Sequence, residues 1–115
     1  VSVEKQYKYE EDRIIQEFVE YVNSTYSQHY SMNQFQATEF IIDSGHGEGF
    51  CLGNIMKYAQ RFGKKEGKNK KDLFKIMHYA LLAIYDFDQE RLKQIQFETM
   101  RAQKIEENPG WQRDE

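Results

Sequence analysis

Four polar residues, Asn54, Lys57, Tyr58 and Arg61, recur at spacings of three and four. At about 100° per residue they fall on one side of a helix, with Leu52, Ile55, Met56, Ala59 and Phe62 on the other. The polar side carries an amide, an ammonium, a phenol and a guanidinium. Lys and Arg hold phosphate, and Arg can bind two of its oxygens at once. The amide can read a base or a ribose hydroxyl, and the tyrosine ring can stack on a base. Lys64 and Lys65 follow after Phe62 and Gly63, and Lys75 and Tyr79 share a second polar row with Asp72 and Asp86. Upstream, His46, Gly47 and Gly49 form a loop beside the start of the helix, whose free N–H groups favour anions. These residues are the candidate binding set. The same spacing also describes the wet face of any amphipathic helix, and a lone histidine in a loop is commonly just a surface side chain.

Other chemistries find less support. Gly63 to Asn69 looks like a phosphate-binding P-loop, but it is one residue short and lacks the Ser or Thr that holds magnesium. No strand precedes the glycine segment at 44–49, so a dinucleotide fingerprint is excluded. Three scattered histidines and one cysteine give no zinc spacing, and no metal or cofactor is expected. Helical nucleotide pyrophosphatases need two acidic pairs; Glu17 and Glu20 supply one, and no Glu-x-x-Asp occurs. Cys51 has no evident base beside it for nucleophilic catalysis. Catalytic residues therefore stay unassigned, and the residues favour binding over catalysis.

The elements that must position these groups are helical. Ile14, Ile15, Phe18, Val19, Val22 and Tyr26 make one apolar stripe over residues 10–26. Residues 24–33 read as a connection, followed by a short helix near 34–43. The glycines at 45, 47 and 49 mark a break, and a third helix runs from about Phe50 to Phe62, closed by Gly63. From Lys70 to Glu107 there is neither Gly nor Pro, which predicts one long helix, with Asp86-Phe87-Asp88 the place for a bend. Pro109-Gly110 stops it, leaving 108–115 as a loose tail. The expected fold is all-α: one domain over 1–115, a small bundle of about four helices with a long C-terminal helix.

Bulk properties agree with a small domain of thin margin. At 115 residues a single core is feasible, and 15% aromatic residues supply large side chains for it. A mean hydropathy of -0.88 leaves much of the surface wet, so self-association is expected to relieve the shortage of buried area. No stretch is apolar enough to span a membrane, the first eleven residues lack the apolar core of a signal peptide, and the single cysteine forms no internal disulfide. A cytoplasmic setting is the expectation. Net charge is -3, yet eight basic residues between Lys57 and Lys75 face only Glu66 and Asp72, leaving about +6 there and about -9 elsewhere. A basic island in an acidic chain fits a local anionic ligand and disfavours a long nucleic acid.

The run Phe50-Cys51-Leu52-Gly53-Asn54-Ile55-Met56-Lys57-Tyr58-Ala59-Gln60-Arg61-Phe62-Gly63-Lys64-Lys65, then Asp72-Leu73-Phe74-Lys75-Ile76-Met77-His78-Tyr79, resembles the small bacteriophage family DUF3310. That family's pattern is roughly LGN-x-x-KY-x-x-R-x-GKK, a gap, then DL-x-KA-x-x-YL; Ile76 stands where it prefers alanine and Ala80 where it prefers leucine. His29-Tyr30 and Gln34 to Ile41 resemble its opening, so the likeness covers about residues 29–85. The resemblance implies a phage origin, a helical fold and an infected bacterial cell as the setting. Some relatives are described as nucleotide kinases without a P-loop. Three functions are carried forward. The first is a homo-oligomeric nucleotide- or cyclic-nucleotide-binding protein, with sequestration of a host immune signal as its use. The second is a nucleoside monophosphate kinase of unusual design. The third is an inhibitor that grips a host protein through the long acidic helix.

Overall fold

The long uninterrupted reach from Lys70 onward becomes a single helix in the computed structural model, which describes residues 5–27, 31–64 and 67–107. Four helices follow in order: α1 (Glu11–Ser27), α2 (Ser31–Asp43), α3 (Gly47–Arg61) and α4 (Lys70–Glu107). Among the described residues there is no strand. The all-α expectation with a long last helix is met. His29, Tyr30, Lys65 and the tail 108–115 lie outside the described residues.

Boundaries differ from expectation for local reasons. α1 continues through its Ser and Thr residues, whose hydroxyls bond back onto the helix. Ser24 Oγ donates to the Tyr21 carbonyl, Thr25 Oγ1 to Val22 and Ser27 Oγ to Ser24. α3 starts at Gly47, within the expected loop, so Gly47 and Gly49 occupy its first turn. The backbone freedom of the glycine segment is used at Gly45, with φ of +92° after the end of α2. Gly63 does close the α3 end, at φ +86°, and its N–H donates to the Gly67 carbonyl at 3.2 Å. Asn69 caps α4: its Oδ1 accepts the Lys71 N–H at 2.9 Å. α4 is not interrupted at Asp86-Phe87-Asp88.

α3 and α4 form an antiparallel hairpin, the most extensive packing in the molecule. α1 lies against the first turns of α4 through an aromatic cluster. Phe18 and Tyr21 sit 5.9 and 5.5 Å from the Phe74 ring, and both meet His78 edge-on at 6.3 and 6.1 Å. Burial lowers the His78 pKa, keeping the imidazole neutral there. Lys70 Nζ lies 2.9 Å from the Glu17 carboxylate, a surface tie between the same two helices. α2 joins through Tyr26, stacked on Phe35 at 4.3 Å.

The core is thin. Only Phe18, Cys51 and Phe74 are buried hydrophobics among the described residues. α3 shows why. Its expected apolar face is only partly used, since Leu52 is 46% and Met56 68% exposed. The face against α4 is instead Gly47, Cys51, Asn54, Ile55, Tyr58 and Phe62, so the helix is rotated toward its expected polar side. Tyr58 drives that rotation: its ring gives more area to bury than Leu52, and Tyr79 on α4 offers a stacking partner.

Candidate functional site

Rotating α3 toward α4 gathers the basic side chains around one ring. Tyr58 stacks on Tyr79 at 6.1 Å with 14° between the planes, and Phe50 meets Tyr79 edge-on at 5.7 Å. Lys57 Nζ, Lys75 Nζ and Arg61 Cζ lie 4.7, 5.0 and 5.3 Å from the Tyr58 centroid. No two of these cations are farther apart than twice that last distance. At such spacing each pair repels by about 0.4 to 2 kcal/mol, depending on the local dielectric. The ring's negative face offsets part of this. Among the described residues, ion pairs form at Arg13 and Lys70 and none engages Lys57, Arg61, Lys64 or Lys75.

Beside this cluster lies an open cleft of ≈ 400 Å³, lined by Lys57, Gln60, Arg61 and Lys64. Three lining groups are cationic and the fourth is an amide able to donate and accept. That set can neutralise an anion carrying more than one charge and fix its orientation by hydrogen bonds. Burial, with Tyr58 as a lesser contributor, raises the Tyr79 phenol above its ordinary value, so it remains a donor at neutral pH.

Of the residues singled out from the sequence, Lys57, Tyr58, Arg61, Lys64, Lys75 and Tyr79 come together here. Asn54 is on the same helix face, but its Nδ2 donates to the Phe50 carbonyl at 2.8 Å, so that half of the amide is spent on its own helix. His46, Gly47 and Gly49 are not near the cluster. They stand at the opposite end of α3, and Gly47 and Arg61 are about 21 Å apart along the axis. α3 is continuous between the two places. Gln60 escaped sequence reasoning because it sits between the apolar and basic rows, and only the cleft's shape selects it.

The other end of the hairpin is closed. Asp86 is 7% exposed and its carboxylate presses on Gly47, where an added Cβ would lie 2.6 Å from Oδ1. Cys51, fully buried in the same place, has its thiol pKa raised by burial first and by Asp86 second, the opposite of an activated nucleophile. Asp72 is also buried, at the start of α4. Among the described residues no group of three or more His, Cys, Asp or Glu lies close enough to hold a metal ion, and no helix is long and apolar enough to cross a membrane.

No curated protein and no solved structure matches the chain. A family model, described as a protein of unknown function, matches residues 24–81, which include α2, α3, the turn and the first part of α4. The matched span therefore contains every residue of the cation cluster, and the chain belongs to the DUF3310 family.

Proposed function

We propose that this chain binds a phosphorylated nucleotide, linear or cyclic, at the α3–α4 hairpin and holds it without transforming it. One observation carries the reading. Lys57, Arg61 and Lys75 converge on Tyr58 without an acidic partner among the described residues, beside a cleft lined by Lys57, Gln60, Arg61 and Lys64. Repulsion among like charges is an unfavourable feature of the fold, and an anion relieves it. Phosphate oxygens meet the guanidinium and ammonium groups, Gln60 reads a hydroxyl or base edge, and the exposed part of the Tyr58 ring offers a stacking surface. Binding needs only these groups. Phosphoryl transfer would further need metal-holding and base groups, and Asp72, the carboxylate at the start of α4, is buried. For a member of a phage-type family acting in an infected cell, sequestering a host nucleotide signal is a use that requires no turnover.

Titration calorimetry against mono-, tri- and cyclic nucleotides tests this, with chromatography of each ligand afterwards. Saturable binding of a ligand recovered intact is the expected result. Conversion in the presence of ATP would establish a kinase instead. Absence of binding across the panel would reject the site and turn attention to a protein partner on α4.

A further inference from the structure

α4 is about 57 Å long, yet α3 supports only its first half. Gly47, at the start of α3, meets Asp86, and every residue from Glu90 to Glu107 is exposed. A solitary helical extension of this kind is marginal in water unless something covers its apolar side. Its apolar side has a definite pattern. Leu81, Ile84, Asp88, Arg91 and Ile95 follow one another at alternating steps of three and four, the spacing of a coiled-coil seam, with Phe87 and Leu92 flanking it. All seven are exposed. At about 100° per residue this seam lies opposite the face bearing Asp72, Tyr79 and Asp86 that packs on α3. It is therefore open to a partner while the hairpin stays intact.

The charged pair in the middle of the seam selects the partner. Asp88 and Arg91 sit between Ile84 and Ile95. When a second copy of α4 is laid antiparallel about a twofold axis between Asp88 and Arg91, each Asp88 faces an Arg91 of the other copy. The same register places Ile84 against Ile95, with Phe87 along one flank of the seam and Leu92 along the other. Every contact then occurs twice, as a twofold interface requires. A parallel pair would set Asp88 on Asp88 and Arg91 on Arg91, juxtaposing like charges. We infer that two copies of this chain associate through an antiparallel pairing of their α4 helices, centred on reciprocal Asp88–Arg91 ion pairs with an Ile84–Ile95 layer on either side, and with Phe87 and Leu92 covering the two flanks. The next layer outward ends the dry seam: Leu81 would meet Glu98, whose carboxylate is already held by Gln94 Nε2 at 2.7 Å in its own helix. The pairing does not depend on the nucleotide reading, since none of its residues belongs to the cation cluster.

Sedimentation equilibrium of the full chain tests the register with four proteins: the unaltered chain, Asp88→Arg, Arg91→Asp, and the double variant. The exposed positions of both residues leave the hairpin core untouched, and circular dichroism checks each protein. The unaltered chain is expected to dimerise. Each single reversal places like charges in contact and should weaken dimerisation on the order of a hundredfold. The double variant exchanges the partners and should restore it. A monomeric unaltered chain at every concentration would overturn the inference. So would single reversals that leave association unchanged, or a double variant as weak as either single one, because the antiparallel register predicts rescue and no other face does.

Discussion

The two ends of the α3–α4 hairpin are built from the same pair of helices but to opposite effect. At one end, Gly47, Cys51 and Asp86 fit so closely that a methyl group has no space, and the thiol is fully buried. At the other, Lys57, Arg61 and Lys75 crowd one tyrosine ring beside an open cleft. The closed end is spent on packing, since changing it alters how the helices meet. The open end keeps uncompensated charge that the packing does not need, and groups that a fold does not need are the ones available to a ligand. The difference separates residues that hold the hairpin from residues that the hairpin holds out.

The largest expected effect breaks that separation at the open end. Arg61→Ala removes the one group able to grip two phosphate oxygens, and should weaken nucleotide affinity by about a hundredfold or more. Thermal unfolding of the free protein should hold steady or improve, because a repelling charge has gone. Retained affinity in calorimetry, or a collapse of the unfolding temperature, would place Arg61 with the structural residues. At the closed end the signs reverse. Gly47→Ala should destabilise the protein by about 1–3 kcal/mol through collision with Asp86. Gly49→Ala, also in the first turn of α3 but with nothing within 4 Å of its Cβ, should stabilise by up to about 1 kcal/mol. Urea denaturation reads both. Equal effects at the two glycines would mean that Asp86 does not press on the α3 start, and neither change should alter ligand affinity.

A smaller, graded effect belongs to the α1–α4 contact. Burial lowers the pKa of His78 below 6.5, so the folded state resists protonation more than the unfolded chain does. Above that value both states are neutral and nothing is lost. As pH falls through it, the unfolded chain takes up the proton first, and stability declines until the lowered folded value is passed. Denaturation midpoints compared from about pH 8 down to about pH 5 should therefore fall more steeply for the unaltered chain than for His78→Phe. Parallel curves would show that the imidazole stays accessible to water between Phe18 and Tyr21.

Much of this was legible in the residues. The absence of Gly and Pro from 70 to 107, and a glycine at 63, located α4 and the end of α3. The polar row at 54, 57, 58 and 61 identified the side of α3 where the cations gather. Three things were not legible. Gly47 and Gly49 look like loop residues in one dimension, and only Asp86, thirty-nine positions beyond Gly47, explains why a helix begins with glycine there. The Asn54 amide looked available until Phe50 claimed it. The rotation of α3 depends on Tyr58 meeting Tyr79, a long-range choice that a single helix's periodicity does not contain.

That rotation yields the smallest predicted effect, and one that separates the two pictures of α3. Read from periodicity alone, Met56 sits at the centre of a buried stripe with Leu52 and Ala59, and its replacement by a polar residue would cost what a core truncation costs, about 2–5 kcal/mol. In the structure it is 68% exposed, on the side turned away from Cys51 and Tyr58. Met56→Gln should then change stability by no more than about 0.5 kcal/mol in either direction, since glutamine and methionine have similar helix propensity and nothing is uncovered. Cys51→Ser, five residues earlier, places a hydroxyl in a fully buried site and should cost clearly more. If urea denaturation instead finds Met56→Gln to be the costlier change, α3 is rotated the other way about its axis. Tyr58 would then face water, and the convergence of Lys57, Arg61 and Lys75 on its ring would be lost with it.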